Sequence, residues 1–160
     1  MNAEYDPSYS LINVIDVWDI QKRNFQDQSD ETVSVIKQDT DAFAKFLTVK
    51  LRYYLNNGAH LNLALHGTSI NPNLTVDFQN KFEDSSKLKF YMKSNGLTEL
   101  VICGQHLHKC ISSRPTGYTS MKKLISNTKV AITLCRALPQ DHQQKGLRFV
   151  DVPFDDWIYL

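Results

Sequence analysis

The stretch LTELVICGQHLHKCI (residues 97–111) decides how this chain is read. Leu97 to Cys103 form an apolar, β-branched run that stops at Gly104, which reads as a buried strand. Just before it, Asn95-Gly96 closes a segment that carries Leu88, Tyr91 and Met92 at helical spacing and opens at Ser85 or Ser86. A helix therefore feeds a buried strand. After the strand come His106, His108 and Cys110, then Pro115, which suits the first turn of another helix.

The same alternation extends outward. SLINVIDVW (residues 10–18) reads as a first strand. Asp39, Thr40 or Asp41 can cap a helix carrying Phe43, Phe46, Leu47, Leu51, Tyr54 and Leu55, with Gly58 as its stop and residues 26–32 as a short loop before it. HLNLALHG (residues 60–67) is a second strand, Asn71-Pro72-Asn73 a turn, and LTVDF (residues 74–78) a short strand. A helix with Met121, Leu124 and Ile125, the strand VAITLC (residues 130–135) and a last strand RFVDV (residues 148–152) complete the order. Strands alternating with helices predict parallel pairing through right-handed crossovers. The expected fold is a three-layer α/β/α domain with a mainly parallel sheet, one domain over residues 1–160.

Composition narrows the function classes. A formal charge of +1 gives no electrostatic reason to bind nucleic acid or an anionic membrane. The basic residues are scattered, with no aromatic-laced basic strip. No apolar run approaches the roughly 20 residues of a membrane span, and the N-terminus MNAEYDPSYS is polar and acidic, unlike a signal peptide. Three cysteines are an odd count without a disulfide framework. Free thiols in a reducing, cytoplasmic setting are expected.

Functional residues of a parallel sheet gather at the carboxyl ends of its strands. Three candidates fall there: Asp16, Lys81 and Cys110. Asp16 lies within an apolar run, where a carboxylate needs a partner, whether a loop amide or a charge. Lys81 competes with Lys87 and Lys89. Cys110 can be a buried thiol, a metal ligand or a nucleophile. No CxxC pair is present, and His106 with His108 is a weak metal signal, so no metal is expected. CISSR (residues 110–114) is not a phosphatase loop, because only three residues separate Cys110 from Arg114 where five are needed. A helix starting after Cys110 would depress its thiol pKa and offer amides to an oxyanion. Cys103 and Cys135 belong to strands and read as core.

Residues 95–111 resemble the central segment of the isochorismatase-like cysteine hydrolases. Gly96, Gly104, Cys110 and Ile111 match that family's spacing, and His108 stands where aspartate is common. LINVIDVWDIQ (residues 11–21) is similar to the family's first strand, with Asp16 as its aspartate and Trp18 in place of the usual glutamine. The resemblance implies an Asp–Lys–Cys site of Asp16, Lys81 and Cys110. Gly104, His108 and Lys109 would stand at the oxyanion hole or pocket. Cys110 would attack an amide, a related C–N bond or an ester of a small molecule, and water would release the thioester. No cofactor is implied, and relatives self-associate, so a homo-oligomer is expected. GTSINPN (residues 67–73) lacks the Asp-x-His set of metal-bearing members. A catalytically silent relative acting as a binding protein is the competing expectation, and the lysine discriminates between the two. VPFDDWIYL (residues 152–160) is expected to pack on its own core or on a second copy.

Overall fold

The structure is a computed structural model that describes residues 5–66, 69–105, 110–137 and 152–160. Its sheet has five parallel strands in the order β2-β1-β3-β4-β5. These are β1 (Ser10–Ile15), β2 (His60–Ala64), β3 (Glu99–Gln105), β4 (Thr128–Arg136) and β5 (Trp157–Ile158). The helices are α1 (Asp30–Asn56), α2 (Ser85–Ser94), α3 (Cys110–Ser113) and α4 (Tyr118–Lys122). The all-parallel sheet between helical layers is the expected three-layer α/β fold.

Strand burial shows why the layers form. Ile12, Val14, Leu61, Leu63, Val101 and Cys103 face α1, where Phe43, Ala44, Leu47 and Leu51 meet them. Leu11, Ile15, Leu100 and Ile102 face the other way, onto Leu88 and Met92 of α2, Ile111 of α3 and Met121 of α4. Both faces of the central strands are apolar, as a sheet covered on both sides requires.

Several boundaries differ from expectation. Helix α1 begins at Asp30, because Ser29 caps it by accepting the Thr32 N–H at 3.1 Å. Val33 and Ile36 continue the buried stripe that was expected to start at Phe43, so residues 30–32 belong to the helix and not to a loop. Residues 74–78 form no ladder. Their alternation of Leu74, Val76 and Phe78 reports burial against the α1-side core, while their backbone is tied to helix α1 itself. Thr48 Oγ1 donates to Asn73 O at 2.9 Å and accepts the Thr75 N–H at 3.1 Å, and Arg52 donates to Thr75 O at 2.5 Å. Of the strand expected at residues 148–152, residues 148–151 lie outside the described residues and Val152 is in a bend. The tail packs on its own chain: Trp157 and Ile158 pair with Val130 and Ala131, and Asp156 is bonded by the Tyr118 hydroxyl and by Lys122 at 3.1 Å.

A polar relay crosses the α2-side interior. Asn13 and Asn62 are opposite one another in register and fully buried. Asn62 Nδ2 donates to Asn13 Oδ1 at 2.8 Å; Asn62 also accepts the Phe82 N–H at 2.7 Å and donates to Phe82 O at 3.0 Å. Asn13 Nδ2 donates to Thr116 O at 2.9 Å. Two loops, one after β2 and one after α3, are thereby fixed to the central strands. Each buried amide is satisfied by a partner, which makes such a network stabilising rather than costly.

The chain goes from β1 outward to β2, then back across β1 to β3. The strand order reverses between β1 and β3, and that reversal opens a crevice at their carboxyl ends.

Candidate functional site at the β1/β3 switch point

Three strands deliver the crevice residues. Asp16 follows β1 directly, His66 lies just past β2, and Cys110 opens the helix after β3. Asp16 has φ 50°, a left-handed conformation that an aspartate tolerates better than most residues but that still costs on the order of 1 kcal/mol. Its N–H is held by Ala64 O at 2.9 Å. The kink turns the carboxylate inward, where it is 0% exposed.

Gly104 makes room for this kink. It pairs with Ile15 in the β1–β3 ladder, next to an irregularity between Ile102 and Gly104 in the β3–β4 pairing. A Cβ on it would stand 2.1 Å from Ile15 O and 2.8 Å from Ile15 N, and its φ is +126°. The sequence placed Gly104 where the chain leaves the strand. Instead β3 continues through Gln105, and glycine is required by the close approach of two backbones.

The buried carboxylate is fully engaged. Oδ1 accepts the His66 backbone N–H at 2.8 Å and lies 3.1 Å from His66 Nδ1. Oδ2 accepts Arg114 Nε–H at 2.9 Å. The Cys110 thiol lies within interaction range of the same carboxylate and of the Arg114 guanidinium. Asp16 thus meets both expectations held for it, pairing with a loop amide and with a cation.

Cys110 opens the single turn of α3 and Arg114 follows its end, closing the turn with an N–H to Cys110 O bond at 3.2 Å. Ile111, fully buried, pins that turn into the core. Gly117 lets the following chain fold back, since a Cβ there would stand 2.8 Å from Ile111 O and 2.9 Å from Arg114 O.

The electrostatics run against the expectation of an activated thiol. Burial, followed by the negative charge and hydrogen bond of Asp16, pushes the Cys110 thiol up to about 12, with Arg114 opposing. A four-residue helix has too little aligned dipole to overcome this desolvation. Burial works against the Arg114 charge, yet Asp16 and Cys110 hold the guanidinium above its ordinary range. Burial also pushes Cys135 up to about 12 and Cys103 well above the usual thiol range. What sets Cys110 apart from the other two thiols is its partners, a carboxylate and a guanidinium.

Lys81 is solvent-exposed, and the cation bonded to Asp16 and close to Cys110 is Arg114. Lys87 and Lys89 are exposed on α2 as well. His106, His108 and Lys109 lie outside the described residues. Lys81 lines a cleft of about 520 Å³ that runs between residues 81–87 and Pro115, the neighbour of Arg114. Several buried polar atoms around the crevice have no hydrogen-bond partner among the described residues: His66 Nε2, Gln105 Nε2, Ser112 Oγ and Thr116 Oγ1. Also among the described residues, no three His, Cys, Asp or Glu side chains are grouped so as to hold a metal ion, and no helix is long and apolar enough to cross a membrane.

Sequence reasoning missed Arg114 and His66. Arg114 was weighed only as the end of a phosphatase loop; its position four residues after Cys110, one helical turn away, was the available signal. His66 follows β2 as Asp16 follows β1, so its strand-end position was the equivalent clue.

No family model matches this chain, and no curated protein matches it.

Proposed function

We propose that this protein is a cysteine-dependent hydrolase that cleaves an amide, a related C–N bond or an ester of a small molecule, in the manner of the isochorismatase-like enzymes it resembles. The observation that carries the proposal is the Cys110 thiol beside the fully buried Asp16 at the strand-order reversal, with Arg114 bonded to that carboxylate and close to the sulfur. In this reading Asp16 takes the thiol proton as Sγ attacks the carbonyl carbon. The C–N or C–O bond then breaks, the proton leaves with the amine or alcohol, and a Cys110 thioester remains for water to release. A thiol held near 12 suits transfer that is concerted with attack, since the free thiolate is scarce beforehand. Arg114 takes the part expected of Lys81, stabilising the anion that passes between carboxylate and sulfur. Lys81, on the wall of the adjacent cleft, is left to meet substrate rather than sulfur. A homo-oligomer belongs to the same proposal, and light scattering on the purified chain tests it.

One observation favours the competing reading of a silent binding protein. Arg114 neutralises Asp16, and burial holds the thiol protonated. A single experiment separates the readings. The protein is treated with p-nitrophenyl acetate, an activated ester, and peptide-mapped by mass spectrometry. The hydrolase acetylates at Cys110, and Cys110→Ala abolishes both the label and turnover. Label on Cys103 or Cys135 alone, or no label, defeats the hydrolase and leaves the binding protein.

A further inference from the structure

We infer that the outer face of α1 binds a second copy of this chain, with the two helices antiparallel. The inference rests on the homo-oligomer of the proposed function and supplies its interface; it does not depend on the hydrolase chemistry. Helix α1 buries one stripe, through Phe43, Leu47, Leu51 and Tyr54. Phe46, which the sequence grouped with that stripe, is 45% exposed instead. Val35 at 64%, Val49 at 69% and Tyr53 at 61% are exposed with it. Single exposed apolar residues are ordinary, whereas a contiguous apolar set marks a contact surface.

The spacing says what kind of contact. Val35, Asp39, Ala42, Phe46, Val49 and Tyr53 follow one another at alternating steps of about four and three residues, the heptad spacing of a coiled-coil seam. All six are exposed. Val35, Ala42 and Val49 take one seam position, and Asp39, Phe46 and Tyr53 take the other. The seam is about 27 Å long at the helical rise of about 1.5 Å per residue. A helix that only covered its own sheet would have no use for it.

The residues in the seam select the partner and its direction. With the two-fold axis level with Ala44, Val35 meets the second copy's Tyr53, Ala42 meets its Phe46, and Asp39 meets its Val49. Each layer then joins the two different seam positions, and the smallest residue faces a large aromatic. Asp39 does not enter uncompensated, because Arg136 of its own chain pairs with it. Lys50, next to Val49, brings a second cation from the other copy. The charges along α1 agree. Residues 30–41 hold Asp30, Glu31, Asp39 and Asp41 against Lys37, while residues 45–52 hold Lys45, Lys50 and Arg52 and no acid. Lys22 and Arg136 temper the acidic half through Asp30 and Asp39 without reversing its sign. Antiparallel helices lay acidic half on basic half. Parallel helices would set Asp39 on Asp39 and like charge on like. The antiparallel pair is two-fold symmetric and closes at two chains.

Light scattering on the full chain, over a concentration series, reads the mass. Wild type is expected as two chains. Val49→Glu, at an exposed position, is expected as one, a twofold fall in mass with an unchanged circular dichroism spectrum. Phe46→Glu is the second variant should the first not fold. Direction is read by disulfide formation. Mixed Val35→Cys and Tyr53→Cys chains are expected to join through the two new cysteines, identified by mass spectrometry. Neither chain alone joins to itself there, since like positions lie about 27 Å apart. Wild type that stays a single chain at every concentration overturns the inference and the homo-oligomer together, while Cys110 labelling still decides the hydrolase. A dimer that survives both glutamate variants overturns the inference and leaves the homo-oligomer on another face. Self-joining of either cysteine variant at its new cysteine overturns the antiparallel order.

Discussion

Replacing Gly104 with alanine tests the core of the structural argument, because one methyl group meets two independent penalties. The residue sits at φ +126°, which a side chain adopts at a cost of about 2 kcal/mol. The new Cβ would lie 2.1 Å from Ile15 O and 3.0 Å from Ile15 C, well inside contact distance with backbone that is paired on both sides and cannot swing away. Overpacking of this kind costs about 2 kcal/mol more. The sum, about 4 kcal/mol, is a large part of the 5–15 kcal/mol typical of a domain. Urea unfolding followed by circular dichroism reads it; with a slope of about 2 kcal/mol/M the midpoint falls by about 2 M. Gly96→Ala is the control, since its φ is +66° but nothing lies within 4 Å of its Cβ. It should lose only about 1–2 kcal/mol. If Gly104→Ala costs no more than Gly96→Ala, the close approach does not shape this site. The carbonyl it would displace belongs to the peptide that carries Asp16, so folded Gly104→Ala protein should also show faster alkylation of Cys110 by iodoacetamide.

Three further outcomes are expected. Arg114→Leu leaves a buried carboxylate without its cation and should cost about 2–3 kcal/mol, toward the low end for a broken buried pair because the guanidinium is 32% exposed; a loss below about 0.5 kcal/mol in thermal or urea unfolding contradicts the pairing. Lys81→Ala should leave both stability and Cys110 alkylation unchanged, and a changed alkylation rate would return Lys81 to the site. Cys110 has a folded pKa of about 12, above the unfolded value near 9, so its stabilising contribution is complete below about pH 9 and lost as pH rises toward 12. Wild type should therefore lose more stability than Cys110→Ala between pH 9 and 11, as read by urea midpoints, and parallel curves would contradict the raised value.

The fold was legible because its period was. Strands β1, β2, β3 and β4 announced themselves as apolar runs, and the buried stripe of α1 did so from Phe43 onward. Errors came where burial and pairing diverge. Leu74, Val76 and Phe78 alternate as a strand does, but the alternation records contact with the core and not a ladder. The first turns of α1 were hidden because residues 30–42 are mostly polar, with Val33 and Ile36 too sparse to outweigh them. In the site, Asp16 and Cys110 were readable from their place at strand ends. Arg114 was not, since nothing in a linear sequence says that a side chain one turn beyond a cysteine will reach back to a carboxylate 98 residues earlier.

Sulfur and guanidinium ride on one turn of helix, and that sets how the site can fail. The Arg114 N–H to Cys110 O bond ties the two backbones together, so displacing one displaces the other. Any wedge that lifts Ile111 from the core withdraws nucleophile and counter-charge in the same movement. The centre is armed or disarmed as a unit, and a small molecule seated beneath that isoleucine would disarm it without approaching the sulfur.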